Sequence, residues 1–413
     1  MSIKKFFMEC KDGISAIILN DAELIEENIP EIKDESMVYH SPAVYMEGSV
    51  RDDFDFGDVL LVNNSLAAKA VELMDSDTEH CGIYDLRLML STLGNISKSS
   101  HPFYKIPQNS GEDFETAHFA YCDPRNRLYQ IEAERVFTKY LRNTGALIKP
   151  ANSGIDGFES IIKKYEYTAS VVIPVKDRPE TIADAVKSAL GQITDFPMNV
   201  IVVNNHSQEA TCRILSNLQA SNPRLEVIVP EETDLGIGGC WNKAIASPKC
   251  GAIAIQLDSD DVYSSPHIVG KIVAKFMEER CGVLIGSYRL TDMNMNPLND
   301  IIIDHREYTQ ENGANNALRV NGFGAPRCYL TDIARKNPFK NVSYGEDYDL
   351  CLRLSRQYKV ARIFDVLYLC RRWEKNSDAN LTPEKIVRFN EMKDSFRTSE
   401  ILLRRSINKA QEL

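Results

Sequence analysis

The sequence has no basic excess. Its 48 Lys+Arg face 59 Asp+Glu, for a formal net charge of -11. That excludes a broad nucleic-acid surface, because neutralising phosphates requires a basic face. Long apolar runs are absent as well, and nothing approaches the ~18 residues that a membrane-spanning helix needs. Residues 1–13 offer only Phe6-Phe7-Met8 ahead of Glu9, too little for a signal-peptide core. The ten cysteines stand singly, without a CxxC pair or a Cys/His cluster at zinc spacing, as in reduced, mostly buried thiols of a cytosolic protein. Histidine is sparse, and all seven lie at or before His305. Among them His206 and His267 read as surface or helix-start residues rather than ligands. Disorder is excluded too, since 43% hydrophobic and 26% charged residues make an ordinary globular composition.

What is present centres on residues 168–261. Short apolar runs at 169–175, 199–203, 225–229 and 253–257 alternate with segments of helical periodicity. That alternation predicts an α/β fold with a mostly parallel central sheet covered on both faces. After the first run, Ile182, Val186 and Leu190 recur at helical spacing, with Pro179 as first helical residue and Gly191 as stop. At 413 residues the chain is too long for one core. A smaller α+β domain is expected over 1–160, the main domain over 166–382 and a C-terminal helix over 383–413, with the turn-rich 152–157 at the boundary. That last helix carries Phe389, Met392, Phe396, Leu403 and Ile407, and its Arg404-Arg405 pair reads as a solvated face rather than a lipid contact.

The N-terminal half shows strand-like pieces at 15–19 and 59–62, helix-like ones at 66–74 and 126–145, and a polar loop at 26–36. In the second helix Leu128, Ile131, Val136, Tyr140 and Leu141 form the apolar stripe. One internal similarity stands out: residues 84–91 match 348–355 at six of eight positions, at an offset of 264 (348−84) that also pairs Tyr104 with Tyr368. Chance resemblance between amphipathic helices is the plain alternative. A true repeat would make the N-terminal half a partial copy of the later one, without chemistry, because Gly82-Ile83 stands where the later half has Glu346-Asp347.

Polar residues collect where the strands end, and ligands bind at the carboxyl edge of such sheets. Asn204 and Asn205 close the second run. Gly236, Gly238 and Gly239 open a helix running through Asn242, which allows backbone N–H groups to approach an anion. Asp260 and Asp261, with Asp258, place hard oxygen ligands on one turn, suited to Mn²⁺ or Mg²⁺ shared with a diphosphate. Standing alone, that turn would read as a solvated cap. Beyond it, 266–279 predicts a helix with Ile268, Ile272 and Phe276 as its stripe, 283–290 a strand, and 292–316 a polar loop.

This ordered set resembles the family 2 glycosyltransferases of GT-A fold. The resemblance rests on 171–175 followed by Asp177-Arg178, the polar cluster at Asn204, the Gly236–Asn242 turn, Leu257-Asp258-Ser259-Asp260-Asp261 and Tyr344-Gly345-Glu346-Asp347, and it covers about 168–380. It implies inverting transfer of a sugar from a nucleoside-diphosphate donor, a UDP-sugar first, to a hydroxyl of a glycan or lipid-linked acceptor, in the manner of bacterial surface-glycan synthesis. Donor contacts would come from Pro174, Val175, Asp177, Arg178, Asn204 and Asn205, from Gly236, Gly239 and Asn242, and from Asp258 and Asp260. Asp260 and Asp261 would hold the metal, Asp347 would be the general base and Glu346 would shape the acceptor site. The segment 320–327 would line the acceptor and sugar pocket. The chain departs from the pattern in having amides at 204–205, Lys176 in place of an aromatic, and no histidine in 370–378. There Arg371, Arg372 and Lys375 could meet diphosphate, and Trp373 a sugar face.

Two other functions fit parts of this pattern. A sugar-nucleotide-forming nucleotidyltransferase would need a glycine-rich loop after the first strand, and 176–180 has no glycine. A catalytically inactive sugar- or nucleotide-binding scaffold of the same fold would explain the departures, but not the retained Asp260, Asp261 and Asp347. The expected location is the cytoplasm, including the inner face of a membrane, and acceptor positioning or a homodimer contact is the role left for the N-terminal half.

Overall fold

A computed structural model describes residues 14–25, 36–40, 44–54, 56, 60–107, 122–320, 322–374, 376 and 382–411. The expected loop at 26–35, residues 1–13, Asn321 and Lys375 lie outside the described residues. The chain forms two compact units, one made of 1–148, 318–321 and 381–413, the other of 149–317 and 322–380.

The first unit contains β1 (Ile14–Ile25), β2 (Ser36–His40), β3 (Leu60–Val62), α1 (Asn64–Leu73), α2 (Gly82–Leu93), β4 (Asn95–Pro107) and α3 (Arg127–Asn143). Strand β1 is central, antiparallel to β2 and β3 and parallel to β4. Helix α3 buries Ala133, Val136, Phe137, Tyr140 and Leu141, whereas Leu128 and Ile131 are exposed. Ile131 stands five positions from Val136, on the far side of a 3.6-residue turn, so the apolar stripe lies one face over from its expected place.

The second unit contains α4 (Phe158–Ile162), β5 (Ala169–Val175), α5 (Ile182–Leu190), β6 (Met198–Asn204), α6 (Glu209–Ser221), β7 (Leu225–Ile228), α7 (Ile237–Ala246), β8 (Ile253–Gln256) and β9 (Val262–Tyr263). Then come α8 (Ile268–Glu279), β10 (Val283–Thr291), β11 (Pro297–Ile303), α9 (Gly313–Asn316), β12 (Arg327–Leu330), α10 (Thr331–Lys336), α11 (Glu346–Ser355) and β13 (Val360–Arg371). The mixed α/β class expected from the sequence is present. Strands β7-β6-β5-β8 run parallel, and β12, β10, β13 and β9 extend the sheet with mixed polarity. Three local expectations shift. Pro179 lies in the turn ahead of α5, whose N-cap is Thr181. Pro266 lies outside α8, which begins at Ile268. The polar stretch after β10 holds the strand β11, because Asp292 accepts the backbone N–H of Asn294 and of Asn296 and closes a hairpin.

The C-terminal helix α12 (Pro383–Gln411) belongs to the first unit, and its buried face carries charges as well as the apolar Phe396. Asp394 accepts from Arg51 (3.1 Å) and Arg397 (2.7 Å), Arg397 also donates to the Leu318 and Val320 carbonyls, and Arg319 pairs with Asp52 (2.6 Å). Arg404 is buried against Glu400 at 2.8 Å, not on a solvated face.

The two units share a register. In the first, Ala16 faces Ile96, Ile18 faces Lys98, and after an irregularity Asn20 faces Pro102 and Asp21 faces Tyr104. In the second, Val283 faces Val360, Ile285 faces Arg362, and after an irregularity Ser287 faces Val366 and Tyr288 faces Tyr368. The offsets are 267 on one strand (283−16, 288−21) and 264 on the other (360−96, 368−104). The 267 offset also carries Leu60, facing Ile18, onto Arg327, facing Ile285. Tyr84 donates to the Val50 carbonyl (2.7 Å) and Tyr348 to that of Ala317 (2.6 Å), again 264 and 267 apart.

Candidate active site

The parallel strands deliver their polar ends to one edge: Val175 pairs with Asn204, and Gln256, which pairs with Val172, leads into Asp258. Asp177 follows β5 in a left-handed conformation (φ 53°), accepts the Gln208 N–H at 2.6 Å and donates its own N–H to Ser207 Oγ. Asn204 is spent locally, accepting from Ser207 N–H and donating to Cys212 Sγ. Asn205 donates to the Leu235 carbonyl at 2.9 Å, and its buried Oδ1 has no partner among the described residues. Of the two amides, Asn205 is therefore the one with an acceptor to spare. Val175 is buried in the core, and Pro174 is half-buried beside it.

The glycine-opened helix α7 grips protein. A Cβ on Gly236 would come within 2.6 Å of the Val342 carbonyl oxygen, and one on Gly239 within 2.4 Å of Asn341 Oδ1. Gly236 N–H donates to Asn341 Oδ1, Gly238 N–H to the Val342 carbonyl, and Asn242 takes both the carbonyl and the N–H of Phe339 at 2.9 Å. These residues clamp 339–342, the irregular lead into Glu346-Asp347. The missing side chains admit a loop where close approach of a ligand was the expectation.

The aspartate turn is held from several sides. Thr181 donates to the Ser259 carbonyl, Asp258 N–H donates to Tyr368 Oη (2.8 Å), and Arg371 N–H donates to Asp261 Oδ1 (2.7 Å). Asp260 Oδ2 accepts from Trp373 Nε1 (3.1 Å) and Asn376 Nδ2 (3.2 Å), with Arg178 Nε at 3.8 Å and the Arg178 guanidinium 5.9 Å from the Trp373 ring centre. Burial raises the Asp260 carboxyl above its usual range, against the hydrogen bond from Trp373. Asp261, deeper still, is raised well above that range by burial and then by the charges of Asp260 and Asp258. Three carboxyls crowded on one buried turn fit a hard divalent cation, whose charge would offset the cost of burying them. Arg371 points elsewhere, pairing with Asp184 at 3.1 Å, and Arg372 N–H donates to the Thr291 carbonyl.

Gly345, in a left-handed conformation (φ 74°), turns the chain into α11, so that Glu346 and Asp347 occupy its first turn. Their surroundings separate them. Glu346 is buried with one oxygen unpartnered among the described residues, and burial, then the charge of Asp347, pushes its carboxyl up to about 8. Asp347 is half-buried, accepts the Tyr348 N–H on Oδ1 (2.7 Å) and pairs through Oδ2 with Arg327 Nη2 (2.9 Å). Burial and the neighbouring charge thus favour the protonated form of Glu346.

Sequence reasoning missed Gln256, Arg327 and Asn376 as individual participants. Gln256 donates to both oxygens of Asp258 at 3.0 Å and accepts the Arg327 N–H at 3.0 Å, joining the aspartate turn to the strand that faces Asp347. A polar residue ending the apolar run 253–255 was the available signal. Arg327, two residues beyond the Gly322-Phe323-Gly324-Ala325 turn, was marked only as the end of the segment 320–327.

Comparison with known proteins matches the family Glycosyl transferase family 2 over residues 170–329. Chondroitin synthase of Pasteurella multocida (strain Pm70) and hyaluronan synthase of Pasteurella multocida are each 27% identical over 204 residues, 48% of this chain and 20% of theirs. The chain thus spans about a fifth of the length of these curated relatives. Among solved structures, S. aureus TarS 1–349 in complex with UDP aligns at 18% identity and TM-score 0.40, covering 57% of this chain and 70% of that one. Glucosyl-3-phosphoglycerate synthase from Mycobacterium tuberculosis, with Mn²⁺, UDP and glucosyl-3-phosphoglycerate, aligns at 17% and 0.41, covering 61% and 88%. No helix among the described residues is long and apolar enough to cross a membrane.

Proposed function

Because residues 170–329 belong to the family 2 glycosyltransferases, we propose that this chain transfers a sugar from a nucleoside-diphosphate donor, a UDP-sugar first, to a hydroxyl of a glycan or lipid-linked acceptor, inverting the anomeric carbon. The observation that carries this reading is the geometry at the start of α11: Asp347, half-buried, faces Arg327 at 2.9 Å, beside the buried Glu346. Asp347 takes the proton of the acceptor hydroxyl as its oxygen bonds to the anomeric carbon and the bond from that carbon to the diphosphate breaks. Glu346, protonated, has a hydrogen to donate to a sugar oxygen. Asn205 Oδ1 is positioned to accept an N–H of the base, Asp177 and Arg178 stand at the end of β5 beside it, and Trp373 with Arg178 flanks Asp260. Asp260 and Asp261, with Asp258 alongside, would hold Mn²⁺ or Mg²⁺, which when bound supplies charge to offset that of the departing diphosphate.

The first unit is read as a partial copy of the acceptor half with the acids removed, in a supporting role such as acceptor positioning or a contact between two copies of the chain. The test is donor hydrolysis by the full chain with Mn²⁺ across UDP-glucose, UDP-N-acetylglucosamine, UDP-glucuronate and GDP-mannose. One donor should turn over, and Asp347→Asn should bind it yet not hydrolyse it. Hydrolysis unchanged in that variant sinks the assignment, and no turnover of any donor with intact UDP binding favours the inactive scaffold.

A further inference from the structure

We propose that Arg327 aims the carboxylate of Asp347, and that Gln256 fixes this arm to the aspartate turn. The inference rests on the reading of Asp347 as the base. A carboxylate on a first helical turn has two soft torsions, and only one orientation presents its lone pairs usefully. Here each oxygen has its own anchor: the Tyr348 N–H holds Oδ1 at 2.7 Å, and Arg327 Nη2 holds Oδ2 at 2.9 Å. Arg327 is itself immobilised at both ends. Its other guanidinium nitrogen donates to the Gly324 carbonyl, and its backbone N–H donates to Gln256 Oε1. The Gln256 amide faces Asp258 with its nitrogen, 3.0 Å from each carboxylate oxygen. One chain of hydrogen bonds therefore runs from the donor-side aspartate to the base.

The same fold built without this pair argues against a purely structural role. In the first unit, Leu60 and Ile83 stand at the positions of Arg327 and Asp347 (327−60 is 267, 347−83 is 264), yet β3 still pairs with β1 and α2 still forms. The Arg327–Asp347 pair is partly exposed, at 18% and 25% of the two side chains. The pair is dispensable for the scaffold, which leaves orientation as its use.

The experiment measures hydrolysis of the active donor by the full chain with Mn²⁺ in Arg327→Met, Arg327→Gln and Arg327→Lys, alongside UDP binding by calorimetry. Arg327→Met should lower kcat about a hundredfold, the scale of a misplaced catalytic group, with donor KM unchanged. Arg327→Lys, keeping charge but losing the planar fork, should recover about tenfold of that loss. A kcat within threefold of wild type in Arg327→Met overturns the proposal; if that variant no longer binds UDP, the same result in Arg327→Gln does so. Equal loss in the Met and Lys variants also overturns it. Failure of the base reading is separate, because it would show as full hydrolysis in Asp347→Asn.

Discussion

Helices α2 and α11 carry nearly the same eight residues, and only one of them opens on a pair of acids. Both bury the tyrosine and the leucines two faces of the helix require: Tyr84, Leu88 and Leu90 in one, Tyr348, Leu352 and Leu354 in the other. Each tyrosine reaches a carbonyl in the segment ahead of its strand. They differ at the two residues before the tyrosine, Gly82-Ile83 against Glu346-Asp347, and across the sheet at Leu60 against Arg327. Ile83 is 75% exposed, a position that packing leaves free. The difference teaches that the acids and their arginine occupy places the scaffold does not need, so chemistry can be added or lost there while strand register is kept.

The comparison breaks most sharply at Asp347. Asp347→Asn should cost about 10²–10⁴ in kcat for donor hydrolysis. Ile83→Asp, added to that variant, should restore nothing, since Leu60 stands where the second unit has Arg327; restored turnover would show that the first unit is a second active site. Next comes Asp260→Ala, expected to abolish Mn²⁺-dependent donor binding by calorimetry. The scaffold half of the comparison is sharpened by Tyr84→Phe and Tyr348→Phe. Each should lower stability in urea by about 1 kcal/mol, the worth of one buried hydrogen bond. Clearly unequal losses would mean that the two helices are not held alike.

The last effect is in pH. Glu346 keeps its proton up to about 8 in the folded chain, whereas its usual value is 4.5. Between those values the unfolded chain loses the proton and the folded chain retains it, so stability falls as pH rises from 4.5 toward 8. Glu346→Gln should flatten that part of the melting-temperature profile, and an unchanged slope would place the proton elsewhere. Gly82 has nothing to titrate, so the first unit lacks this contribution.

Much of the fold was legible because period and burial agree in the second unit. The apolar run 169–175 is β5 to the residue, and β6, β7 and β8 begin or end within a residue of the expected runs. Legibility failed where charge is buried. Arg51, Arg319, Arg397 and Arg404 are enclosed by carboxylates and carbonyls, so α12 does not present the stripe its apolar residues suggest, and Leu403 is exposed. It failed again at the glycines of α7, where the sequence announces a close approach but not whether a ligand or residues 339–342 make it.

By itself the sequence determined the alternating α/β pattern, the carboxylates at a strand's end, the Glu346-Asp347 pair and the offset of 264, because strand periodicity and composition are properties of neighbours along the chain. Tertiary structure alone decided that Arg327 faces Asp347, that Gln256 bridges β8 to β12, that Asn205 and not Asn204 keeps a free acceptor, and that Arg371 turns to Asp184. Each of these depends on which strands lie side by side and how deeply a carboxyl is buried, and residues 20 to 190 positions apart do not record that in their order.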